Sequence, residues 1–297
     1  MTAGKRSARG SDRILYDGAG GALRIGAFRR YPSEPRFEDT GPIGGFLLVF
    51  PRTSVIIQHA GRSPVVADPT RVMLYNRGQE YRRRALSERG DECEWFSFPP
   101  QLIAEALRAR DPAVDDRLDR PFTATHAPVD AGTYLLQRDV VEHLRASDAR
   151  GVAPDALFVE EAMARLLARA ARASYPPARA RRAATVEDHR AIADACRTLI
   201  ARHLGEPLSL GQLARAVGVS PFHLARLFQR DSGTTLHAYR HQLRLRTALE
   251  RVADGEELTR VALELGYTSH SHFTALFRRA FGVTPSGRRR RSHRARS

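Results

Sequence analysis

Residues 213–228 read LARAVGVSPFHLARLF, and residues 261–277 read VALELGYTSHSHFTALF. The second stretch repeats the first with an offset of 48 residues before the turn and 49 after it, because Thr268 adds one residue. Each copy contains an apolar helix, a turn glycine, a serine and a second apolar stripe. Internal repetition of this kind predicts two copies of one helix–turn–helix unit.

The first copy carries start and stop signals for two helices. Ser209 and Gln212 have the spacing of a capping box at the start of the first helix. Gly218 suits the left-handed residue that ends a helix. Ser220 and Pro221 then favour an N-cap and a first helical position, so the second helix begins at once. Its apolar stripe is predicted to pack on the first helix and consists of Leu224, Leu227 and Phe228.

The second copy repeats these signals after a long connecting helix. Gly266 marks its turn, Ser269 its cap, and the buried stripe is Phe273, Leu276 and Phe277. Residues 236–254 contain no Gly or Pro and predict a helix of roughly 28 Å. Successive major-groove faces lie about 34 Å apart, so such a helix can hold two units near that spacing on one face of a duplex.

The positive charge is concentrated in the same part of the chain. The 297 residues include 48 Lys+Arg and 33 Asp+Glu, a net charge of +15. Residues 179–297 hold 22 basic and 10 acidic residues, and therefore most of the excess. This distribution favours a polyanionic partner for the C-terminal part.

The segment from about 186 to 290 resembles the DNA-binding domain of the AraC/XylS family of bacterial transcription regulators. The resemblance implies seven helices, two recognition helices in neighbouring grooves of double-stranded DNA, and RNA polymerase as a protein partner. The matching positions are Leu213-Ala214, Gly218-Val219-Ser220, His223-Leu224, Arg226, Phe228, Gly233, Arg244-Leu245-Arg246, Ala248-Leu249, Val261-Ala262, Gly266-Tyr267, Ser271, Phe273, Phe277-Arg278 and Gly282-Val283-Thr284-Pro285.

Mapping the resemblance onto this chain gives the expected DNA contacts. Arg226 is the strongest base-contacting residue by chemistry, because arginine can bond guanine O6 and N7 together; a solvated surface arginine is the alternative. Ala225 and Ala275 replace longer polar residues, which limits them to methyl contacts or to none. Base contacts are expected at Phe222, Ala225, Arg226, His270, Ser271, Thr274 and Ala275. Phosphate contacts are expected at Ser220, Arg230, His272, Arg278, Arg279 and Thr284. Arg244 and Arg246 suit either phosphates or structural ion pairs.

The N-terminal half has a different pattern. Short strands separated by turn residues predict a small barrel or sandwich over residues 22–28, 45–50, 54–59, 64–67, 71–76, 79–86 and 93–98. Helical periodicity follows at 101–110, 133–147 and 156–173, and the last two predict an antiparallel hairpin. The family resemblance implies a cupin-like effector domain. Tyr75, Tyr81, Cys93 and Trp95 are candidates for lining an effector pocket, with ordinary strand packing as the alternative.

These patterns predict an α+β chain of two domains. The N-terminal domain is a small cupin-like β-barrel with a helical hairpin, and the C-terminal domain is all-α with about seven helices. The predicted boundaries are a flexible basic arm at 1–20, a sensing or dimerisation domain at 21–173, a linker at 174–185, a DNA-binding domain at 186–287 and a basic tail at 288–297.

Several other classes of protein are disfavoured. The longest apolar runs, such as residues 46–50, are too short to cross a membrane, and no apolar segment of a secretory signal is visible. Two cysteines suit a reducing cytoplasm. His59, His126 and His143 lack a metal-binding spacing, so no metal or cofactor is expected. The acidic residues after the 89–91 turn are explained by a solvated hairpin and not by catalysis; these are Asp91, Glu92 and Glu94.

The sequence therefore predicts a cytoplasmic, sequence-specific transcription regulator and not an enzyme. Two hypotheses remain for its N-terminal half. It binds a small-molecule effector that changes the fraction of molecules in the DNA-binding conformation, or it serves only as a ligand-independent platform for oligomers such as a homodimer. A cupin-type enzyme with a DNA-binding domain is a third and less favoured hypothesis.

Overall fold

Short strands build the N-terminal part of the chain in the computed structural model, which describes residues 11–18, 21, 23–35, 37–175, 183–267 and 269–294. Most of them coincide with the strands predicted from the sequence. The strands are β1 (Ser11–Asp17), β2 (Arg24–Arg30), β3 (Asp39–Thr40), β4 (Phe46–Pro51), β5 (Val55–His59), β6 (Val65–Ala67), β7 (Arg71–Tyr75), β8 (Tyr81–Ala85), β9 (Asp91–Phe98) and β10 (His126–Pro128).

The strands form two antiparallel sheets. One sheet has six strands in the order β1-β2-β9-β4-β7-β10, and the other has four in the order β3-β8-β5-β6. Within the described ranges, β1 and β10 have no strand on their outer sides, so the larger sheet stays open. The sequence predicted a small barrel or a sandwich, and the described strands form two sheets and not a closed barrel.

Side-chain alternation along β4 shows how the layers are arranged. Leu47 and Val49 pack between the two sheets, against a cluster that includes Val55 of the smaller sheet. Leu48 and Phe50 point the other way and join the core beneath the helices. Successive residues of a strand face opposite sides, so the six-stranded sheet is covered on both faces.

Helices make up most of the remaining chain. The predicted hairpin is present, and its helices begin at caps where Asp130 accepts from the Thr133 N–H and Asp155 from the Phe158 N–H. Within the described residues no helix is long and apolar enough to cross a bilayer. The helices are α1 (Pro100–Leu107), α2 (Ala131–Ala149), α3 (Ala156–Ser174), α4 (Ala183–Arg202), α5 (Leu210–Ala216), α6 (Pro221–Ser232), α7 (Leu236–Ala253), α8 (Leu258–Glu264), α9 (His270–Phe281) and α10 (Pro285–Arg294).

The described parts of the predicted arm and of the predicted tail form regular elements. The predicted arm at 1–20 contains β1, which pairs with β2; its residues 1–10 lie outside the described part. The predicted tail at 288–297 begins inside α10. Arg288 is buried there because two carboxylates of α2 bind it, Asp139 at 2.9 Å and Glu142 at 2.7 Å. Of the predicted linker, 176–182 lie outside the described residues.

A group of buried charges joins the N-terminal strands to α7. We call it the buried ionic cluster, and it consists of Arg52, Glu92, Glu94, Arg138 and Glu250. Arg138 lies 2.8 Å from Glu94 of β9 and 2.9 Å from Glu250 of α7. Arg52 contacts both Glu92 and Glu250. Each charge has a partner of opposite sign, as burial of charged groups requires.

The acidic residues of β9 are therefore not a solvated hairpin, and that prediction is wrong. Asp91, Glu92 and Glu94 are only 5%, 8% and 0% exposed. Asp91 accepts a hydrogen bond of 2.5 Å from Arg83, and the other two belong to the buried ionic cluster. Arginines of other elements make this burial possible.

Further polar contacts hold α7 against the N-terminal half. Arg246 donates to the carbonyls of Pro69 at 2.7 Å and Val129 at 2.6 Å. The Tyr239 hydroxyl donates to Asp68, and burial together with that carboxylate raises the pKa of the phenol. The orientation of α7 on the strands is thus set by directional bonds.

Two separate cores lie beneath the C-terminal helices. Phe273 and Phe277 of α9 belong to the core that also contains Val140 of α2 and Phe96 of β9. Leu224, Leu227 and Phe228 of α6 belong to a smaller core with α4. Helix α7 contributes to both, through Leu243 to the smaller core and Leu249 to the larger.

Replacing Glu250 with glutamine should destabilise the protein strongly. The change leaves two buried arginines short of a counter-charge, for which a loss of about 3–5 kcal/mol is typical. Urea unfolding of the full chain measures the free energy of unfolding of each variant. Glu264→Gln is the control, because the Glu264 side chain is 52% exposed and its ion pair contributes at most about 1 kcal/mol. Equal losses in both variants would contradict a special role for the cluster.

The stabilisation by Glu250 should also depend on pH. Burial raises the pKa of this carboxyl group, but Arg138, Arg52 and the hydrogen bond from Tyr134 outweigh burial and lower the pKa to about 2 from the ordinary 4.5. The stabilisation is then complete above pH 4.5 and is lost as the pH falls towards 2. The difference in unfolding free energy between the wild type and Glu250→Gln should shrink over that interval. A constant difference would be inconsistent with an ionised Glu250.

Candidate nucleic-acid interface

The first helix–turn–helix unit consists of α5, a short turn and α6. The capping box forms as predicted: the Ser209 N–H donates to Gln212 Oε1 at 2.8 Å, and the Gln212 N–H donates to Ser209 Oγ at 3.2 Å. Gly218 in the turn has a φ of 72°. Ser220 caps α6 by accepting from the His223 N–H at 3.2 Å. The stripe Leu224, Leu227 and Phe228 is buried.

The second unit has the same construction in α8 and α9. Ser269 accepts from the His272 N–H at 3.1 Å, and Gly266 has a φ of 75°. A side chain at Gly266 would lie 2.3 Å from the carbonyl oxygen of Gly205, so both the φ angle and the space require glycine. Phe273 and Phe277 are fully buried, and Leu276 is partly buried.

The residues expected to contact bases lie on the outer faces of α6 and α9. Arg226 is exposed and Ala225 half-buried on α6, whereas the Phe222 side chain lies outside the described residues. Among the four expected base contacts on α9, Thr274 is half-buried, and its buried hydroxyl has no hydrogen-bond partner in the described part of the chain. The other three expected contacts on α9 are exposed: His270, Ser271 and Ala275.

The residues expected to contact phosphates have two kinds of environment. Ser220 and Thr284 are helix caps, since Thr284 Oγ1 accepts from the Gly287 N–H at 3.1 Å. The four cationic or imidazole side chains are exposed: Arg230, His272, Arg278 and Arg279. Cap hydroxyls at helix N-termini and exposed arginines are both groups that bind phosphate oxygens.

Two arginines of α7 have structural roles that the sequence did not indicate. Arg244 donates to the carbonyls of Leu204 at 2.8 Å and Gly266 at 3.3 Å, which ties the second turn to the loop after α4. Arg246 is buried against the N-terminal half, as described above. Both bind carbonyl groups and not carboxylates, and Arg246 is too deeply buried to reach a phosphate. Arg244 is only half-buried, so phosphate binding by Arg244 stays a prediction.

A cavity of about 770 Å³ lies between the two sheets, and we call it the inter-sheet cavity. The four residues proposed for an effector pocket all line it: Tyr75, Tyr81, Cys93 and Trp95. Burial raises the pKa of the Cys93 thiol and the Tyr75 phenol, so both remain protonated at neutral pH.

A few features shape this cavity. Gly26 pairs with Trp95 across β2 and β9, and a side chain at Gly26 would meet the indole at 2.2 Å. The absence of that side chain leaves room for the indole. Arg83 and Asp91 add a buried ion pair to the lining. The cavity therefore combines apolar walls with a few polar groups, as ligand sites do.

Comparison with known proteins identifies the C-terminal part. A family described as a helix-turn-helix domain matches residues 213–291. Regulatory protein SoxS of Escherichia coli (strain K12) is 36% identical over 93 residues, which are 31% of this chain and 87% of SoxS. The HTH-type transcriptional regulator GlxA of Rhizobium meliloti (strain 1021) is 41% identical over 88 residues, but these cover only 27% of GlxA.

Two solved structures illustrate the likeness to known folds. A transcriptional regulator with an AraC-type DNA-binding domain, from Chromobacterium violaceum, is 30% identical with a TM-score of 0.33 and covers 34% of this chain and 92% of its own. ToxT from Vibrio cholerae O395 is 10% identical with a TM-score of 0.34 and covers 91% of this chain and 98% of its own.

Two capped units on one connecting helix, together with the matched domain, define a helix-turn-helix protein of the transcription-regulator class. The chain belongs to the AraC/XylS family, since it matches SoxS over most of the length of SoxS.

Proposed function

We propose that this protein is a cytoplasmic transcription regulator that binds specific sequences of double-stranded DNA through α6 and α9, and that it is not an enzyme. The observation that carries the proposal is the repeated geometry of the two units. Each buries one apolar stripe and leaves a polar helix face exposed after a serine cap. A helix presented in this way fits the major groove.

Within this proposal, side chains on the two helices divide into base contacts and phosphate contacts. Arg226 on α6 contacts a guanine edge, and Ser271 with His270 contacts bases from the start of α9. Arg278 and Arg279 lie in the last turn of α9, are exposed and bind phosphates. The first group sets the preferred sequence, and the second contributes affinity at any sequence.

Arg226→Ala should relax specificity at one base position. Loss of a bidentate arginine–guanine contact costs about 1–3 kcal/mol at the preferred base and little elsewhere. Selection from a random DNA library, compared with the wild type, measures the change. Arg150→Ala is a matched control, because Arg150 is an exposed arginine at the end of α2, far in sequence from both units. A uniform loss across all sequences would contradict base contact.

Arg278→Ala should weaken binding to all DNA sequences by a similar factor. Loss of one phosphate contact also reduces the slope of log affinity against log salt concentration by about one. Titration of one operator and one unrelated duplex at several salt concentrations gives both quantities. An unchanged slope would remove Arg278 from the phosphate-binding set.

For the N-terminal half we favour a small-molecule effector domain over a platform that only forms oligomers. The inter-sheet cavity favours the effector, because a purely structural sandwich would be filled by its own side chains. From the family resemblance we expect the regulator to act on RNA polymerase. We also expect it to assemble as a homodimer.

Effector binding should change the fluorescence of Trp95. This residue is the only tryptophan in the chain, and its indole lines the inter-sheet cavity. Apolar metabolites that raise the melting temperature should therefore also shift or quench tryptophan emission. A compound that stabilises the protein and leaves the emission unchanged binds outside this cavity. If every stabilising compound behaved in this way, the effector assignment would be contradicted.

A further inference from the structure

A second cleft lies on the outer face of the four-stranded sheet. Along β5 and β8, Ile57 and Arg83 line the inter-sheet cavity, whereas the adjacent residues Ile56 and Arg84 line the other side. This alternation follows from the strand pleat. Helix α4 supplies Arg190 and further residues to the opposite wall, so the cleft lies between the N-terminal sheet and the first helix of the C-terminal part. Its volume is about 860 Å³.

Three arginines line this interdomain cleft. Arg62 comes from the β5–β6 turn, Arg84 from β8 and Arg190 from α4. In the described part of the chain, none of the three forms an ion pair with a carboxylate. They therefore present three positive charges to one shared space.

The acidic residue in the cleft does not neutralise them. Among the described lining residues Asp194 is the single carboxylate, and it is buried beneath two other arginines. Arg71 lies 3.0 Å from it and Arg197 lies 2.9 Å from it. Its charge is thus already balanced, and the positive charge of the three lining arginines remains.

The rest of the lining is neutral and rich in hydrogen-bonding groups. Burial and the charges of Arg71, Arg190 and Arg197 lower the pKa of His126 well below its ordinary value, so the ring is neutral. The hydroxyl groups of Ser63 and Thr125 line the same space. Those of Thr123, Ser174 and Thr198 also line it, but each already donates its hydrogen within the protein. Guanidinium groups, hydroxyls and a neutral imidazole together form a binding surface for an oxygen-rich anion.

We propose that the interdomain cleft binds a small organic anion with at least two carboxylate or phosphate groups, held between Arg62 and Arg84 of the sheet and Arg190 of α4. Guanidinium groups bind both kinds of group through paired hydrogen bonds. The volume lies within the range of small-molecule sites, about 300–1,000 Å³. The site is separate from the inter-sheet cavity, because the sheet itself lies between them.

Such an anion would connect the two halves of the protein. Helix α4 shares the smaller core with α6, which carries the first set of expected base contacts. An anion that bridges the sheet and α4 therefore stabilises one placement of α6 relative to the N-terminal half. Binding at this site does not require that the protein bind DNA.

The test is anion binding by the full-length protein at constant ionic strength. Citrate represents polycarboxylates, pyrophosphate represents phosphates, and sodium chloride sets the background. We expect at least one of the two anions to raise the melting temperature of the wild type and to bind with one site per chain by calorimetry. Arg84→Gln and Arg190→Gln should each weaken binding at least 10-fold, whereas Arg84→Lys should retain part of it.

Arg150→Gln is the matched control and should leave the affinity unchanged. Binding of citrate alone assigns the site to carboxylates, and binding of pyrophosphate alone assigns it to phosphates. Two results would overturn the proposal: neither anion binds more than chloride does, or the cleft variants bind as the wild type does. If Arg84→Gln lowered DNA affinity while anion binding stayed unchanged, the arginines would serve DNA phosphates, and the cleft assignment would be wrong.

Discussion

The pairing of buried charges between β9, α2 and α7 constrains the rest of the structure. Glu94 and Glu250 are almost completely removed from water, so each must keep an arginine beside it. Arg138 satisfies both carboxylates at once, and Arg52 reaches Glu250 from the end of β4. Since an unpaired charge in this position would cost several kcal/mol, α7 cannot rotate or slide freely on the sheet. The position of α7 in turn fixes the positions of the two helix–turn–helix units attached to it.

Local signals in the sequence predicted the local structure well. The capping box at Ser209, the caps at Ser220 and Ser269 and the turn glycines all depend on residues within a few positions of one another. The strands of the N-terminal half also end close to the turn residues that separate the predicted strands. The predicted contacts on α6 and α9 rest on helical spacing and on family likeness, and the structure leaves most of those side chains exposed.

Contacts between distant parts of the chain could not be predicted in the same way. Arg52 and Glu250 are separated by 198 residues, and nothing near either one indicates its partner. Glu92 and Glu94 follow a turn, where charged residues are usually solvated, and the sequence left Arg246 open between a phosphate and an ion pair. In each case a buried partner in another element decides the environment. The two cavities on either face of the smaller sheet arise in the same way, from strands that are remote in sequence.

The division of the C-terminal helices between two cores has a mechanical consequence. Phe273 and Phe277 are embedded with the β-sheet and α2, whereas Phe228 lies in a core shared with α4 and the start of α7. A loss of packing in the N-terminal half would therefore increase the mobility of α9 directly. The same loss would affect α6 only indirectly, through α7 or α4. If both helices bind one operator, its two half-sites would respond differently. Binding of the half-site at α9 would depend on the packing of the sheet, whereas binding of the half-site at α6 would persist when that packing is lost.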